Sequence, residues 1–124
     1  MANYLLRYRS NNKRRPGYVP GIAPIKLITA TGGIESIVGN YKYHVFISSS
    51  SLEVILGELC EILLVGGGGG GGGNEIAGGG GAGGLIYNSS FSLSSETIDV
   101  TVGGGGIGSD HSTANGGNGT NSVF

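Results

Sequence analysis

Few residues of this chain are of types that could do chemistry, and their spacing argues against it. Asp110-His111-Ser112 holds the three residue types of a hydrolytic triad. A triad is a spatial arrangement, however, and this tripeptide reads as a polar loop. The pattern G-x-G-x-x-G recurs within the glycine runs, where it matches automatically. A dinucleotide site needs a strand, a tight loop and a helix, and no helix pattern follows; no glycine run leads into the Lys-Ser/Thr of a phosphate loop. His44 and His111 are the two histidines, too few for a His-rich metal site, and His44 reads as a surface or interface residue on a strand. Cys60 is the sole cysteine, so no disulfide framework supports the chain, and inside an apolar strand it reads as a small buried hydrophobe. Lys13-Arg14-Arg15, with Tyr4, Tyr8 and Tyr18 nearby, is the one cluster suited to a charged partner. Nucleic acid is a possible ligand for it, but docking onto protein is the stronger reading. No catalytic constellation emerges, so neither enzymatic activity nor a cofactor or metal is expected.

The elements that would position these residues are unusual. Of 124 residues 28 are glycine, about threefold above ordinary usage of roughly 7%. Charged residues make up 12%, about half the usual share of roughly 25%. A mean hydropathy of +0.12 and a net charge of -1 argue against charge-driven disorder. Glycine falls in runs rather than at every third position, which excludes collagen. The longest apolar stretch, Ile62-Leu63-Leu64-Val65, is far short of the roughly 20 residues that span a bilayer. No secretory leader is recognisable over Met1 to Ser10. Charge is segregated: Arg7, Arg9, Lys13, Arg14, Arg15 and Lys26 stand without an acid before Glu35, whereas Lys42 faces eight acids thereafter.

Residues 1–29 read as an extended basic arm. Pro16, Pro20 and Pro24 recur every four residues and bias their neighbours toward extended backbone. Residues 30–124 read as an all-β, glycine-rich domain. Tyr41 to Ser48 alternates, with Tyr41, Tyr43, Val45 and Ile47 on one face. Ser48 to Ser51 reads as a turn, and strands are expected over 52–56, 59–65, 85–87 and 97–102, with Asn88-Ser89-Ser90 as a turn. Between them lie Gly66 to Gly73, Gly78 to Gly84 with Ala82 inside it, Gly103 to Gly108 with Ile107 inside it, and a weaker run at Gly116, Gly117 and Gly119.

Ordering a residue costs about 1–2 kcal/mol, and glycine loses the most freedom. The runs therefore either stay flexible, as linkers do, or adopt extended helices of the polyproline II type that hydrogen-bond sideways, which chains without Cβ permit. Their flanks favour order, because Val65, Leu85 and Val102 are strand residues. The strand part spans only about 40 residues, a size that usually needs outside support. A homotrimer is the expected form, with Val45, Ile62, Leu64, Ile86, Ile98, Val100 and Val102 at its core.

Ala30-Thr31-Gly32-Gly33, Tyr41 to Phe46, Ile62 to Val65 running into polyglycine, Gly80 to Tyr87, Val100 to Gly103 and Asn115 to Phe124 follow one another in order. This series resembles the glycine-rich domain of bacteriophage tail-fibre and other virion fibre proteins. The resemblance covers about residues 30–124. It departs from the family at Ser94-Ser95-Glu96, where a Gly or Pro turn is usual. It implies a small β-sandwich or jelly-roll-like fold interleaved with polyglycine-II-like segments, continuing beyond Phe124. It further implies a homotrimeric virion appendage that supports attachment to a host receptor, without membrane insertion. The arm would then anchor the particle through Tyr4, Arg7, Tyr8, Arg9, Arg14, Arg15 and Tyr18. A head or neck decoration fibre without a receptor role is the alternative, and a nucleic-acid-binding protein a more distant one.

Overall fold

The computed structural model describes residues 4–9, 28–73, 77–110 and 115–124. These residues form eight strands and no helix: β1 (Tyr4–Arg9), β2 (Thr29–Thr31), β3 (Ile34–Val38), β4 (Tyr41–Phe46), β5 (Ser50–Leu56), β6 (Leu59–Val65), β7 (Leu85–Ser92) and β8 (Glu96–Val100). They divide into two antiparallel sheets, a five-stranded one in the order β3-β4-β1-β6-β7 and a three-stranded one in the order β2-β5-β8.

Alternation decides which residues meet between the sheets, because successive side chains of a strand point to opposite faces. Leu6 and Tyr8 of β1, His44 and Phe46 of β4, and Cys60 and Ile62 of β6 turn inward. From the other sheet come Ala30, Leu52, Val54 and Val100, and these residues form one shared core. Each large aliphatic or aromatic side chain buried there contributes about 1.5–3 kcal/mol. Two glycine positions steer the chain. Gly33, at φ 66°, turns it from the three-stranded sheet into the five-stranded one, where a Cβ would strike the Val45 carbonyl and the Phe46 ring. Gly39, at φ 61°, opens the two-residue hairpin loop between Val38 and Tyr41, as a type II′ turn requires.

Several segments differ from the sequence reading, among them Ser50-Ser51, which open β5 instead of completing a turn, and Thr29–Thr31, which form β2. Tyr4–Arg9 is not part of an arm: it is the middle strand of the larger sheet, paired with β4 on one side and β6 on the other. Basic composition concealed an alternation in which Leu6 and Tyr8 face the core. The strand β3 lacked a signal because all five of its residues are exposed. Asn88-Ser89-Ser90 is not a turn but an irregularity inside β7, where Cys60 opposes Phe91 and Ile62 opposes Asn88, leaving one extra residue on β7. The Asn88 Oδ1 accepts the Ser90 N–H at 2.9 Å across this bulge.

The glycine runs continue the sheet without a change of register. Val65 lies opposite Leu85, and beyond it the N–H groups of Gly66, Gly69 and Gly72 donate to the carbonyls of Gly84, Gly81 and Gly78 at 2.8–3.0 Å. Thr101 pairs with Val123, and farther along Gly104 accepts from Thr120 and Ile107 from Gly117. Gly67 and Gly70 donate to Thr120 and Gly117, while Gly68 and Gly71 accept from Gly106 and Ser109. The run 66–73 thus meets a different neighbour on each of three sides, every third residue serving the same one. Three residues per turn is the period of a polyproline-II-type helix. Ser122 ties this array to the sandwich: its hydroxyl donates to the Val65 carbonyl at 2.7 Å and accepts the Gly103 N–H at 2.9 Å.

Candidate functional site

The outward face of the five-stranded sheet collects the side chains that alternation sends away from the core. The register places Arg7 between Tyr43 on one neighbouring strand and Glu61 on the other. Leu63 stands opposite Leu5, and Tyr87 opposite Leu63. The Arg7 guanidinium donates to both Glu61 carboxylate oxygens at 2.8 Å and to the Tyr43 hydroxyl at 3.4 Å. It also lies 4.4 Å from the centre of the Tyr41 ring, within the range of a cation–π contact. The Tyr87 hydroxyl donates to the second Glu61 oxygen.

Each partner shifts the others. The hydrogen bonds from Tyr87 and Arg7 hold the Glu61 carboxyl below the usual carboxylate range. Its carboxylate in turn raises the Tyr87 phenol and strengthens the hold of Arg7 on its proton. Leu5, Arg7, Tyr43, Glu61, Leu63 and Tyr87 border a shallow hollow of about 170 Å³. Around it Ile34, Val38 and Leu85 are exposed. The result is an aromatic and aliphatic face whose central charges neutralise each other.

A second polar cluster lies inside. His44 has no solvent exposure. Its Nδ1–H donates to the Gly32 carbonyl at 2.8 Å, its Nε2 faces the Tyr8 hydroxyl at 3.4 Å, and the two rings stack. Burial lowers the His44 pKa, so the neutral ring is favoured. Glu35 lies 3.8 Å from His44 and pairs with Lys42 at 2.8 Å. The Lys42 ammonium also donates to the Ala30 carbonyl, which ties β2 to β4. These groups satisfy one another and join the two sheets. The expectation that His44 sits at a surface is therefore corrected: its strand phase matches Phe46, and both point into the core. Cys60 is buried as expected, with its thiol directed at the Phe91 carbonyl and its pKa pushed up by burial to about 12.

Among the residues expected to anchor a particle, Arg7 is held by Glu61 and Tyr8 is buried beside His44. Tyr4 and Arg9 contribute backbone to β1, and Arg14, Arg15 and Tyr18 lie outside the described residues, as do His111 and Ser112. Among those expected at a trimer core, Ile62 and Val100 are buried within one chain, and Leu64, Ile98 and Val102 pack partly against the same core. Val45 faces the opposite side of the sheet, opposite Leu5 and Ile34. Ile86 remains 63% exposed. Glu61 and Tyr87 were not singled out from sequence. The signal was a lone acid in the otherwise apolar strand Leu59–Val65.

The glycine array has its own geometry. A Cβ on Gly67 would lie 1.9 Å from the Gly104 carbonyl oxygen, one on Gly70 2.1 Å from that of Ile107, and one on Gly106 2.0 Å from that of Gly117. Side chains break the runs only elsewhere: Ile107 points outward at 84% exposure, and Ala82, Asn118 and Thr120 are also exposed. Neither a curated protein nor a solved structure matches the chain. The model of the glycine-rich domain matches residues 48–124, which hold β5 to β8 and all the glycine runs, and the chain belongs to that family.

Proposed function

We propose that this chain is a non-enzymatic structural protein of a bacteriophage particle, a component of a tail fibre present in several copies that supports host attachment. The observation carrying this reading is the unbroken register from β6 and β7 into the glycine array. Backbone packed against backbone holds several glycine runs side by side as a continuation of the sheet, an arrangement a fibre component can use. The neutral aromatic face around Arg7 and Glu61 suits contact with further virion proteins.

Deletion of residues 1–29 would not test anchoring, because it removes the central strand β1. Charge reversal of Lys13, Arg14 and Arg15 to Glu leaves that strand intact. In phage carrying the reversal, the chain is expected to fold but to be missing from purified particles, while wild-type chain is found on an appendage by immunogold labelling. Absence of the wild-type chain from purified particles would sink the reading.

A further inference from the structure

One edge of the molecule is left open in a way that its own packing does not explain. The strand β7 borders the five-stranded sheet, and the run 78–84 prolongs the same edge. Exposed edge strands are ordinarily blunted by charge or proline. Between Ala77 and Ser95 there is neither. Leu85 and Ile86 stand on this edge, each 63% exposed. The N–H groups of Gly78 to Gly84 donate to no acceptor among the described residues.

The glycines supply a second, independent observation. Packing inside the chain requires glycine at Gly80 and Gly83, where a Cβ would lie 2.0 Å and 1.9 Å from the carbonyl oxygens of Gly69 and Gly66. At Gly78, Gly79, Gly81 and Gly84 a Cβ would meet nothing within 4 Å, and none of them has positive φ. Nothing within the chain excludes a side chain there. Four flexible residues are retained at an entropic cost, beside two apolar side chains that nothing covers.

We propose that this edge binds the same edge of a second copy, antiparallel about a two-fold axis at Ala82. A two-fold contact must be self-complementary, each residue meeting a different part of an identical patch. This edge is built so: with the axis at Ala82, the antiparallel arrangement lays Leu85 and Ile86 of each copy beside the open glycines Gly79 and Gly78 of the other. Absence of charge matters equally, because a charged residue near the axis would face its own copy. The free N–H groups of each run then find carbonyls of the other, as the run 66–73 finds those of Gly78, Gly81 and Gly84 within the chain. This contact is independent of any role in a virion.

Two variants of the full chain test it. Gly81→Lys places a charged side chain where the single chain has room. Its circular dichroism and unfolding midpoint should match wild type, while its mass by sedimentation equilibrium falls by half. Ala82→Cys places a thiol beside the axis, where oxidation should link two copies; wild type, whose one cysteine is buried, should not link. A wild-type chain that stays monomeric at all concentrations overturns the proposal. So does a Gly81→Lys assembly of unchanged mass, or an Ala82→Cys chain that does not cross-link.

Discussion

The sandwich and the glycine array are continuous in backbone and register, yet they are held by opposite means. In the sandwich, Leu6, Phe46, Leu52 and Val100 fill the space between the sheets, and hydrogen bonds complete what side-chain burial drives. In the array no side chain fills anything, and nine backbone hydrogen bonds among the described residues link four runs. A hydrogen bond contributes about 1 kcal/mol net, and ordering a residue costs about 1–2 kcal/mol. Such an array does not hold by itself. Its register is imposed by β6 and β7 at one end and by Thr101, Ser122 and Val123 nearby. Close packing also means different things in the two regions. A core tolerates an exchange of one hydrophobe for another of similar volume, whereas the array excludes even a methyl group wherever a neighbouring carbonyl occupies the Cβ position.

The largest break in this comparison comes from the sandwich. Phe46→Ala empties the centre of the core and is expected to cost about 3–5 kcal/mol. Because the array depends on the sandwich, chemical denaturation followed by near-ultraviolet and glycine amide signals should show both regions lost together. An array that outlives the core would contradict the dependence. Next is Gly67→Ala, whose methyl would meet the Gly104 carbonyl; overpacking of this kind costs about 1–3 kcal/mol, read as a lowered thermal midpoint.

Acid acts on the sandwich through groups whose proton affinity the fold reduces. His44 is lowered from 6.5 by burial, and Glu35 and Glu61 are lowered from 4.5, chiefly by their hydrogen bonds to Lys42 and Tyr87. The unfolded chain therefore binds more protons than the folded one. Stability is fully present above 6.5 and is lost as pH falls through the folded values. In base the sign reverses. Tyr8 is raised from 10.0 by burial and Cys60 from 9.0 to about 12, so their contribution is lost as pH climbs past 9.0. Denaturant midpoints across pH should form a plateau between these limits; a midpoint flat through the carboxylate range would contradict the assignment.

Smaller still is Glu61→Gln, which discharges a partly exposed pair. The expected loss of stability is smaller than for either substitution above, with the Tyr87 phenol titrating lower by ultraviolet absorbance. The smallest effect belongs to Gly104→Ala, which lies in the array but has only the Thr120 hydroxyl at 3.9 Å. A change within about 0.5 kcal/mol is expected. Gly67 and Gly104 are the same residue type in the same array, so equal losses for the two would show that close approach is not what selects glycine.

Much was determined by sequence alone: the all-β class, a strand beginning at Tyr41, strands over 52–56 and 59–65, the buried Cys60, and the positions where glycine runs replace strands. These follow from local periodicity and from the absence of side chains, which any stretch of chain carries with it. Tertiary structure alone decided that Tyr4–Arg9 is a central strand, that His44 faces inward while Val45 does not, and that Ile62 and Val100 pack within one copy. It also decided which glycines must be glycine. The physical reason is that strand phase and Cβ space are properties of pairs. Whether a residue is inside, or has room, depends on the partner laid beside it, and those partners are tens of residues away along the chain.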